Sequence, residues 1–324
     1  MTGREARYVG RFAPSPTGPL HFGSLLAAIA SYLQAKSEGG RWLVRIEDID
    51  PPREVRGADA EILRALERYG FVWDGPVLYQ SRQTEWHREL VERLFAEGHA
   101  YACGCSRREL AGAPRGPLGP IYPGTCRSGC RARRTSIRVR TGSYPVAFHD
   151  RLQGIQAQRL ESESGDFVIR RRDGLIAYQL AVAADDAAQA VTEVVRGIDL
   201  MDSTPRQIHL QRLLGLSTPA YAHIPVAVNA RGKKLAKSTG ASAIPPAGST
   251  SDAAAGIAGT GPAGAGRARG REPGIHLGVG RGALADLRTD GAPAGARPFG
   301  CAGKWAIVKK DARRIPPMRL KRNS

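Results

Sequence analysis

The residues best suited to chemistry follow a turn and begin an apolar stretch. Two prolines and a glycine within residues 14–18 interrupt regular structure, and an apolar, helix-like pattern follows. The predicted helix N-terminus contains His21, Phe22, Gly23 and Ser24. Unpaired backbone N–H groups and the helix dipole favour an anion at such a position, so the segment predicts a phosphate site. A simple helix cap is the alternative interpretation.

A second candidate segment is cationic and lies about two hundred residues further along the chain. It consists of Lys234, Leu235, Ala236, Lys237 and Ser238. Its small residues leave room for a lysine ammonium to reach inward and neutralise charge that develops on a transferring phosphoryl group. Alone, such a segment is more typical of a solvated basic loop. Together with the first segment, it predicts an ATP site.

Four of the five cysteines form two close pairs, Cys103 with Cys105 and Cys126 with Cys130. The chain begins without the apolar segment of a secretion signal, so zinc binding by thiolates is a better interpretation than disulfides. Unrelated free thiols are the alternative. Ligand chemistry alone favours Cys130 as the fourth ligand, because a thiol ionises more readily than a phenol. The fifth cysteine, Cys301, has no predicted role.

The two candidate ATP segments resemble the HIGH and KMSKS signatures of class I aminoacyl-tRNA synthetases. Two more segments resemble the glutamate-specific branch: Val44–Asp50, a strand that ends in carboxylates, and Asp199–His209, which opens a helix. The residue order of Asp50–Glu54 and the chain length of 324 residues are similar to the glutamyl-Q tRNA(Asp) synthetases, a short glutamyl-tRNA synthetase-like family. The resemblance extends from about Tyr8 to about Ser238.

The resemblance implies a site for L-glutamate. Free glutamate carries two carboxylates and one ammonium, so a selective pocket needs a guanidinium and an anionic or polar partner. Glu47 is implied to bind the ammonium, Tyr178 to contribute its hydroxyl and Arg196 to hold a carboxylate. The other implied pocket residues are Arg11, Phe12, Ala13, Pro14 and Ser15. The alternatives are structural: an ion pair for Glu47, a core position for Tyr178 and a strand-end cap for Arg196.

The resemblance also implies two metal ions. One structural Zn²⁺ per chain is implied at Cys103, Cys105, Tyr122 and Cys126, and Tyr122 then takes the place that ligand chemistry gives to Cys130. Mg²⁺ is implied to accompany ATP. The residues implied to contact ATP are His21, Gly23 and Lys237.

The implied reaction has two steps. The α-carboxylate of glutamate attacks the α-phosphorus of ATP, and the glutamyl group then passes from the adenylate to the queuosine base at the wobble position of tRNA(Asp). The short chain after Ser238 favours this substrate, because a full glutamyl-tRNA synthetase has a large anticodon-reading region there. The alternatives are a truncated glutamyl-tRNA synthetase that acylates a tRNA 3′ end, a non-catalytic synthetase-like RNA-binding module and a small-molecule nucleotidyltransferase.

The elements that must position these residues alternate along the chain. Strands are predicted near 9–12, 42–46, 137–140 and 166–170, with helices near 22–36 and 57–69. This order predicts an α/β fold with a doubly wound parallel (Rossmann-like) sheet, as in class I aminoacyl-tRNA synthetases, and a small zinc-binding insertion. The site is expected at the carboxyl ends of the strands.

Four parts are predicted along the chain. Residues 1–99 form the first half of the catalytic nucleotide-binding domain, 100–135 the zinc-binding insertion, and 136–240 the second half with the KMSKS-like loop. Residues 241–324 are rich in Gly, Ala and Pro and lack a periodic apolar pattern. This tail is either disordered or the product of a frameshift, and we favour the frameshift.

The charge of the chain is strongly basic, with 48 Lys and Arg against 30 Asp and Glu and a net charge of +18. Residues 241–324 contribute 14 basic and 5 acidic residues, so half of the excess lies in the tail. The remainder suits an RNA-handling enzyme. The apolar run near 22–35 is too short to cross a bilayer, so we expect a cytoplasmic protein with no membrane partner.

Overall fold

The computed structural model describes residues 8–229 and 305–308, with side chains described for residues 8–225. The helices of this part are α1 (Phe22–Ser37), α2 (Ala58–Arg68), α3 (Thr84–Ala96), α4 (Leu160–Glu163), α5 (Tyr178–Ala188) and α6 (Thr204–Leu213). Its strands are β1 (Val9–Phe12), β2 (Arg41–Ile46), β3 (Leu78–Tyr79), β4 (Ala100–Cys103), β5 (Arg115–Gly116), β6 (Gly119–Pro120), β7 (Ser136–Val139), β8 (Pro145–Asp150), β9 (Gly154–Arg159), β10 (Phe167–Arg170), β11 (Glu193–Gly197), β12 (Ala220–Ile224), β13 (Val226–Asn229) and β14 (Trp305–Val308).

The first half of the fold is a parallel sheet in the order β1–β2–β3. Every residue of β1 is buried, as expected for a parallel strand that is covered on both faces. An aromatic group fills the space between sheet and helix α1: Trp42 stacks on Phe71 at 5.5 Å, and Tyr32 meets both rings edge-on. This packing fixes α1 against the strands whose ends carry the predicted site residues.

The second half contains β11, β12 and β8 in parallel, with β9 antiparallel at the edge. Thr192 joins the two halves: its backbone N–H donates to the carbonyl of Val9 at 2.9 Å, and its carbonyl accepts from Ala220 at 2.9 Å. Strands β1 and β11 therefore lie side by side. The predicted α/β class is confirmed, and the strands β1–β2–β3 and β11–β12–β8 pair in parallel. The predicted strands β7 and β10 instead pair antiparallel with each other.

A third sheet has the antiparallel order β10–β7–β4, and its strands lie between β3 and β11 in sequence. It packs with α3, α5 and α6 around buried apolar residues that include Leu90, Leu94, Ile169 and Leu180. Residues 104–135, between β4 and β7, contain only the two-residue strands β5 and β6 as regular strand or helix. Regular hydrogen bonding therefore does little to hold this segment together.

The elements predicted from sequence are found within one or two residues of their expected bounds, from β1 through α2 and again at β7 and β10. Strand β14 falls within the predicted tail and pairs antiparallel with β13. The rest of residues 241–324 lies outside the described part of the chain, so the frameshift stays a prediction. The boundaries of the four parts stay predictions as well. No helix among the described residues is long and apolar enough to cross a membrane.

Candidate active site

A cavity of about 480 Å³ lies where β1, β2 and β11 end and α1 begins. Its size is within the range of small-ligand sites, and its place at the carboxyl ends of parallel strands is the usual one in α/β folds. The predicted residues that line it are Arg11, Phe12, Ala13, Pro14, Ser15, His21, Gly23, Ser24, Glu47, Tyr178 and Arg196.

Six of the residues predicted to bind ATP or glutamate are not among the described residues that line the cavity. Phe22 does not line it, and its side chain is 42% exposed. Lys234, Leu235, Ala236, Lys237 and Ser238 lie outside the described residues. The structure therefore brings the HIGH-like segment to the candidate glutamate residues, and the pairing with the lysine segment stays a prediction.

His21 is the N-cap of α1. Its Nδ1 accepts a hydrogen bond from the backbone N–H of Ser24 at 3.2 Å, and its Nε2 lies 3.0 Å from the Ser24 hydroxyl. The two interpretations of this segment are therefore compatible, because the imidazole caps the helix and also lines the cavity. Capping fixes the ring at the positive end of the helix dipole, where an anion is favoured.

A buried group of two guanidiniums and two carboxylates stands behind one wall. Asp186 Oδ1 accepts from Arg11 Nε at 3.0 Å and lies 2.8 Å from Arg45 Nη2, which is 3.4 Å from Glu47 Oε1. All four side chains are buried, so their opposite charges compensate one another without help from water. Burial alone would raise the pKa of Asp186, but Arg11 and Arg45 outweigh it and hold the pKa below its ordinary value.

Glu47 and Tyr178 face the same cavity with shifted pKa values. Burial raises the pKa of Glu47, and the nearby Arg45 and Arg11 oppose this without reversing it. Burial and the negative charge of Glu47 raise the pKa of Tyr178 to about 12, so this phenol keeps its proton at neutral pH. The pair thus offers an ionisable carboxylate and a hydroxyl to a ligand.

Arg196 presents a second buried guanidinium to the cavity and is only 4% exposed. Its Nη2 donates to Thr204 Oγ1 at 2.8 Å, and its Nε donates to His223 Nε2 at 3.0 Å. Its Nη1 is buried with no hydrogen-bond partner among the described residues. A buried, unpartnered guanidinium N–H is costly, so an anionic ligand in the cavity would stabilise it.

The cysteine segment forms a separate cluster. The sulfurs of Cys103, Cys105 and Cys126 lie within 4.8 Å of one another, and those of Cys105 and Cys126 are 3.6 Å apart. Thiolates that bind one zinc ion at about 2.3 Å in a tetrahedron stand about 3.8 Å apart, so the spacing fits this metal. Cys130 packs against the cluster but is not one of its three converging thiols.

Tyr122 reaches into the same cluster from the following segment. Its hydroxyl is 3.4 Å from Cys103 Sγ and 3.5 Å from Cys105 Sγ, and it accepts a hydrogen bond from the backbone N–H of Cys126 at 2.8 Å. Burial raises the pKa of Tyr122 and raises that of Cys105 to about 11. Burial also acts on Cys126, but hydrogen bonds led by the Tyr122 hydroxyl outweigh it and lower the pKa to about 7.

Comparison with known proteins identifies the relatives of this chain. Residues 8–244 match the family described as tRNA synthetases class I (E and Q), catalytic domain. A glutamyl-Q tRNA(Asp) synthetase of Chromobacterium violaceum is 56% identical over 255 residues, which cover 77% of this chain and 84% of that protein. The protein of that name from Dechloromonas aromatica is 57% identical, over 73% of this chain and 80% of the relative.

This chain belongs to the glutamyl-Q tRNA(Asp) synthetase family. Its fold is also similar to the crystal structure of a glutamate-tRNA synthetase from Elizabethkingia anophelis, with a TM-score of 0.65 and 27% identity. The match covers 72% of this chain and 53% of that one, so this family member spans about half the length of the longer enzyme. A glutamate tRNA ligase from Elizabethkingia meningosepticum, solved in complex with its amino acid, matches equally well.

Several residues of this family member escaped the sequence analysis. Asp186 anchors Arg11, while His223 and Thr204 hold Arg196. One signal was available: Asp185 and Asp186 follow an apolar helical run, a position where a carboxylate requires a buried partner. No comparable signal marked His223, because its partners are brought to it only by the folded sheet.

Proposed function

We propose that this chain uses ATP to activate L-glutamate as glutamyl-adenylate and transfers the glutamyl group to the queuosine base of tRNA(Asp). One observation carries the proposal: a single cavity is lined by the HIGH-like helix start and by Arg11, Glu47, Tyr178 and Arg196. The membership of the glutamyl-Q tRNA(Asp) synthetase family supports the choice of RNA.

The cavity offers a complementary group for each charge of glutamate. The Glu47 carboxylate suits the ammonium, and the Tyr178 hydroxyl can donate to a carboxylate oxygen because its raised pKa keeps it protonated. The Arg196 guanidinium suits a carboxylate, since its Nη1 has no partner among the described residues. Arg11, Phe12, Ala13, Pro14 and Ser15 complete the proposed pocket.

In the first step, an α-carboxylate oxygen of glutamate forms a bond to the α-phosphorus of ATP, and the bond to the pyrophosphate oxygen breaks. His21 and the N-terminal N–H groups of α1 stabilise the phosphates, with Gly23 allowing close approach. Mg²⁺, when bound with ATP, would neutralise part of the phosphate charge. Lys237, outside the described residues, is assigned to the negative charge that grows in the transition state.

In the second step, a hydroxyl of the queuosine base attacks the acyl carbon of the adenylate. The acyl–phosphate bond breaks, AMP leaves, and the hydroxyl proton passes to solvent or to AMP. The protein supplies no covalent nucleophile for this exchange, since the mixed anhydride is already activated. Its contribution is to hold the adenylate and the RNA base in contact.

The cysteine cluster is proposed to hold one structural zinc ion, bound by Cys103, Cys105, Tyr122 and Cys126. The converging sulfurs and the nearby phenol oxygen support this ligand set over one that includes Cys130. When bound, zinc supplies a cross-link for residues 104–135. It takes no part in the reaction, because four protein ligands leave no open position for a substrate.

Glutamate-dependent ATP–pyrophosphate exchange in the absence of RNA tests the activation step. We expect exchange with glutamate and little with glutamine or aspartate, because glutamine lacks the second carboxylate and aspartate is one methylene shorter. Lys237→Ala is expected to slow the exchange by about 10²–10³-fold, the effect of one electrostatic contact in a transition state. Equal exchange with glutamine, or none with any amino acid, would overturn the proposal.

A further inference from the structure

Arg196 is held by a buried chain of side chains that starts outside the cavity. Its Nε donates to His223 Nε2 at 3.0 Å, and His223 Nδ1 lies 2.6 Å from Asp150 Oδ2. The three residues come from β11, β12 and β8, which are neighbours in one sheet. Arg196 is 4% exposed, and both His223 and Asp150 are fully buried.

The direction of these hydrogen bonds is fixed by chemistry. A guanidinium N–H can only donate, so His223 Nε2 must accept and the imidazole proton must be on Nδ1. That proton is then donated to Asp150, as the short distance requires. Asp150 is itself held in place, because it also accepts backbone N–H bonds from Leu152, Gln153 and His223.

The charged and titratable groups around the imidazole keep it neutral. Burial lowers the pKa of His223, and the positive charges of Arg196 on β11 and Arg11 on β1 act in the same direction. Only Asp150 on β8 opposes them, and it does not prevail. The Tyr221 ring stacks on His223 at 6.1 Å, and the Thr204 hydroxyl of α6 lies 3.2 Å from its Nε2. A neutral ring is the form that can accept from Arg196.

We propose that His223, oriented by Asp150, is a positioning residue that aims the Arg196 guanidinium at a carboxylate of the substrate glutamate. The inference rests on the proposed glutamate site and assigns roles to two residues that do not touch the substrate. Two anchors, His223 at Nε and Thr204 at Nη2, leave Nη1 as the N–H without a partner among the described residues. Because a guanidinium is planar and rigid, fixing two of its nitrogens also fixes the direction in which the N–H groups of the third nitrogen point.

Two substitutions separate positioning from simple packing. His223→Asn keeps a donor near Nδ1 for Asp150 but has no group that reaches Arg196. His223→Gln can place its amide oxygen where Nε2 lies and so keeps the acceptor for Arg196. We expect His223→Asn to raise the KM for glutamate by about ten- to hundred-fold, the usual effect of a lost hydrogen bond to a buried charged group. His223→Gln should show a much smaller rise in the KM for glutamate.

The measurement is ATP–pyrophosphate exchange with separate titrations of glutamate and ATP. The KM for ATP should stay within about twofold of wild type, because the Arg196 anchor concerns the amino acid. Thr204→Val removes the second anchor and the hydroxyl beside His223 Nε2 but no contact of Asp150, and it should raise the same KM. Equal KM values for glutamate in all four proteins would overturn the inference. So would a parallel rise of both KM values in His223→Asn that His223→Gln does not relieve.

Calorimetric binding of glutamate separates this inference from the proposed function. Wild-type protein that binds glutamate but shows no exchange would overturn the proposed activation, and the inference would then be decided by affinity. His223→Asn must weaken glutamate binding more than His223→Gln does. Wild-type protein with no glutamate affinity would overturn both.

Discussion

At the scale of single residues, one wall of the cavity consists of charges that already pair with one another. Arg11 and Arg45 face Asp186 and Glu47 at 2.8 to 3.4 Å, so this wall is close to neutral. Arg196 stands apart from that group with one N–H directed to no described partner. For the proposed substrate, the cavity therefore offers one carboxylate for the ammonium and one guanidinium that can donate hydrogen bonds to a carboxylate in a fixed direction.

Glu47→Gln tests the ammonium partner through pH. Because burial raises the pKa of Glu47, the wild-type carboxylate starts to lose its charge at a pH above the ordinary glutamate value of about 4.3. The KM for glutamate should therefore rise as the pH falls through that raised pKa. The variant should show a KM about ten- to hundred-fold higher at neutral pH, with a weaker acid dependence. If the KM for glutamate rises equally at low pH in both proteins, Glu47 is not the partner of the ammonium.

Asp186→Asn tests the buried charge balance through stability. Removing this carboxylate leaves two buried guanidiniums short of a counter-charge, which costs about 3–5 kcal/mol of unfolding free energy in comparable pairs. The control is Asp173→Asn, which alters an exposed pair with Arg171 and should change stability by less than about 1 kcal/mol. Urea unfolding at neutral pH compares the two variants, and equal midpoints would contradict the account.

The difference in unfolding free energy between wild type and Asp186→Asn has a defined pH dependence. The folded-state pKa of Asp186 lies below its ordinary value, so the stability from this carboxylate is complete above about pH 4. It is lost as the pH falls through the lowered pKa. The difference between wild type and Asp186→Asn should be constant near neutrality and should shrink in acid.

At the scale of elements, residues 104–135 contain little regular strand or helix structure, and the cysteine cluster gathers three of their side chains with Cys103 of β4. Their strands are two residues long, whereas three thiols and the Tyr122 hydroxyl meet within one small volume. Arg138 on β7 adds to this volume, with its guanidinium 4.0 Å from the centre of the Tyr122 ring and its Nε 3.2 Å from Cys103 Sγ. A metal ion there would tie the segment to β4 through Cys103.

Cys126→Ser and Cys130→Ser form a matched pair for this cluster. The first removes a converging thiol, so the zinc content should fall from about one ion per chain to near zero and the thermal midpoint should drop. The second leaves the proposed ligand set intact and should keep both values. Metal analysis of purified protein and thermal unfolding measure the outcome. If Cys130→Ser loses zinc and Cys126→Ser retains it, Cys130 and not Cys126 is a zinc ligand, and the proposed ligand set is wrong.

The same scale explains which features the sequence could predict. β1, α1, β2 and α2 follow from local patterns, because apolar spacing and turn residues act within a few positions. The bond between Arg11 and Asp186 joins residues 175 positions apart, and the pair of Asp150 with His223 depends on two strands meeting in the sheet. Local patterns carry no information about such partners. The cysteine spacing indicated a cluster because Cys103, Cys105 and Cys126 lie within one short segment, and the metal ion itself stays a prediction.

At the scale of the whole molecule, the site lies on the edge of a parallel array assembled from both halves of the chain. Arg11 and Glu47 come from the first half, while Tyr178 and Arg196 come from the second, across the boundary where β1 meets β11. The net charge of +18 favours a polyanionic partner, which suits the proposed transfer of glutamate to a tRNA. The RNA position that accepts glutamate is therefore the observation that tests the proposed function most directly.

That position can be measured by incubating the protein with ATP, labelled glutamate and three forms of tRNA(Asp). The forms are intact tRNA with queuosine, the same tRNA without its 3′-terminal adenosine, and intact tRNA with guanosine at the wobble position. We expect the first two forms to accept label equally and the third to accept none. Label that requires the 3′-terminal adenosine and ignores queuosine would contradict the account and identify a 3′-end acylating enzyme.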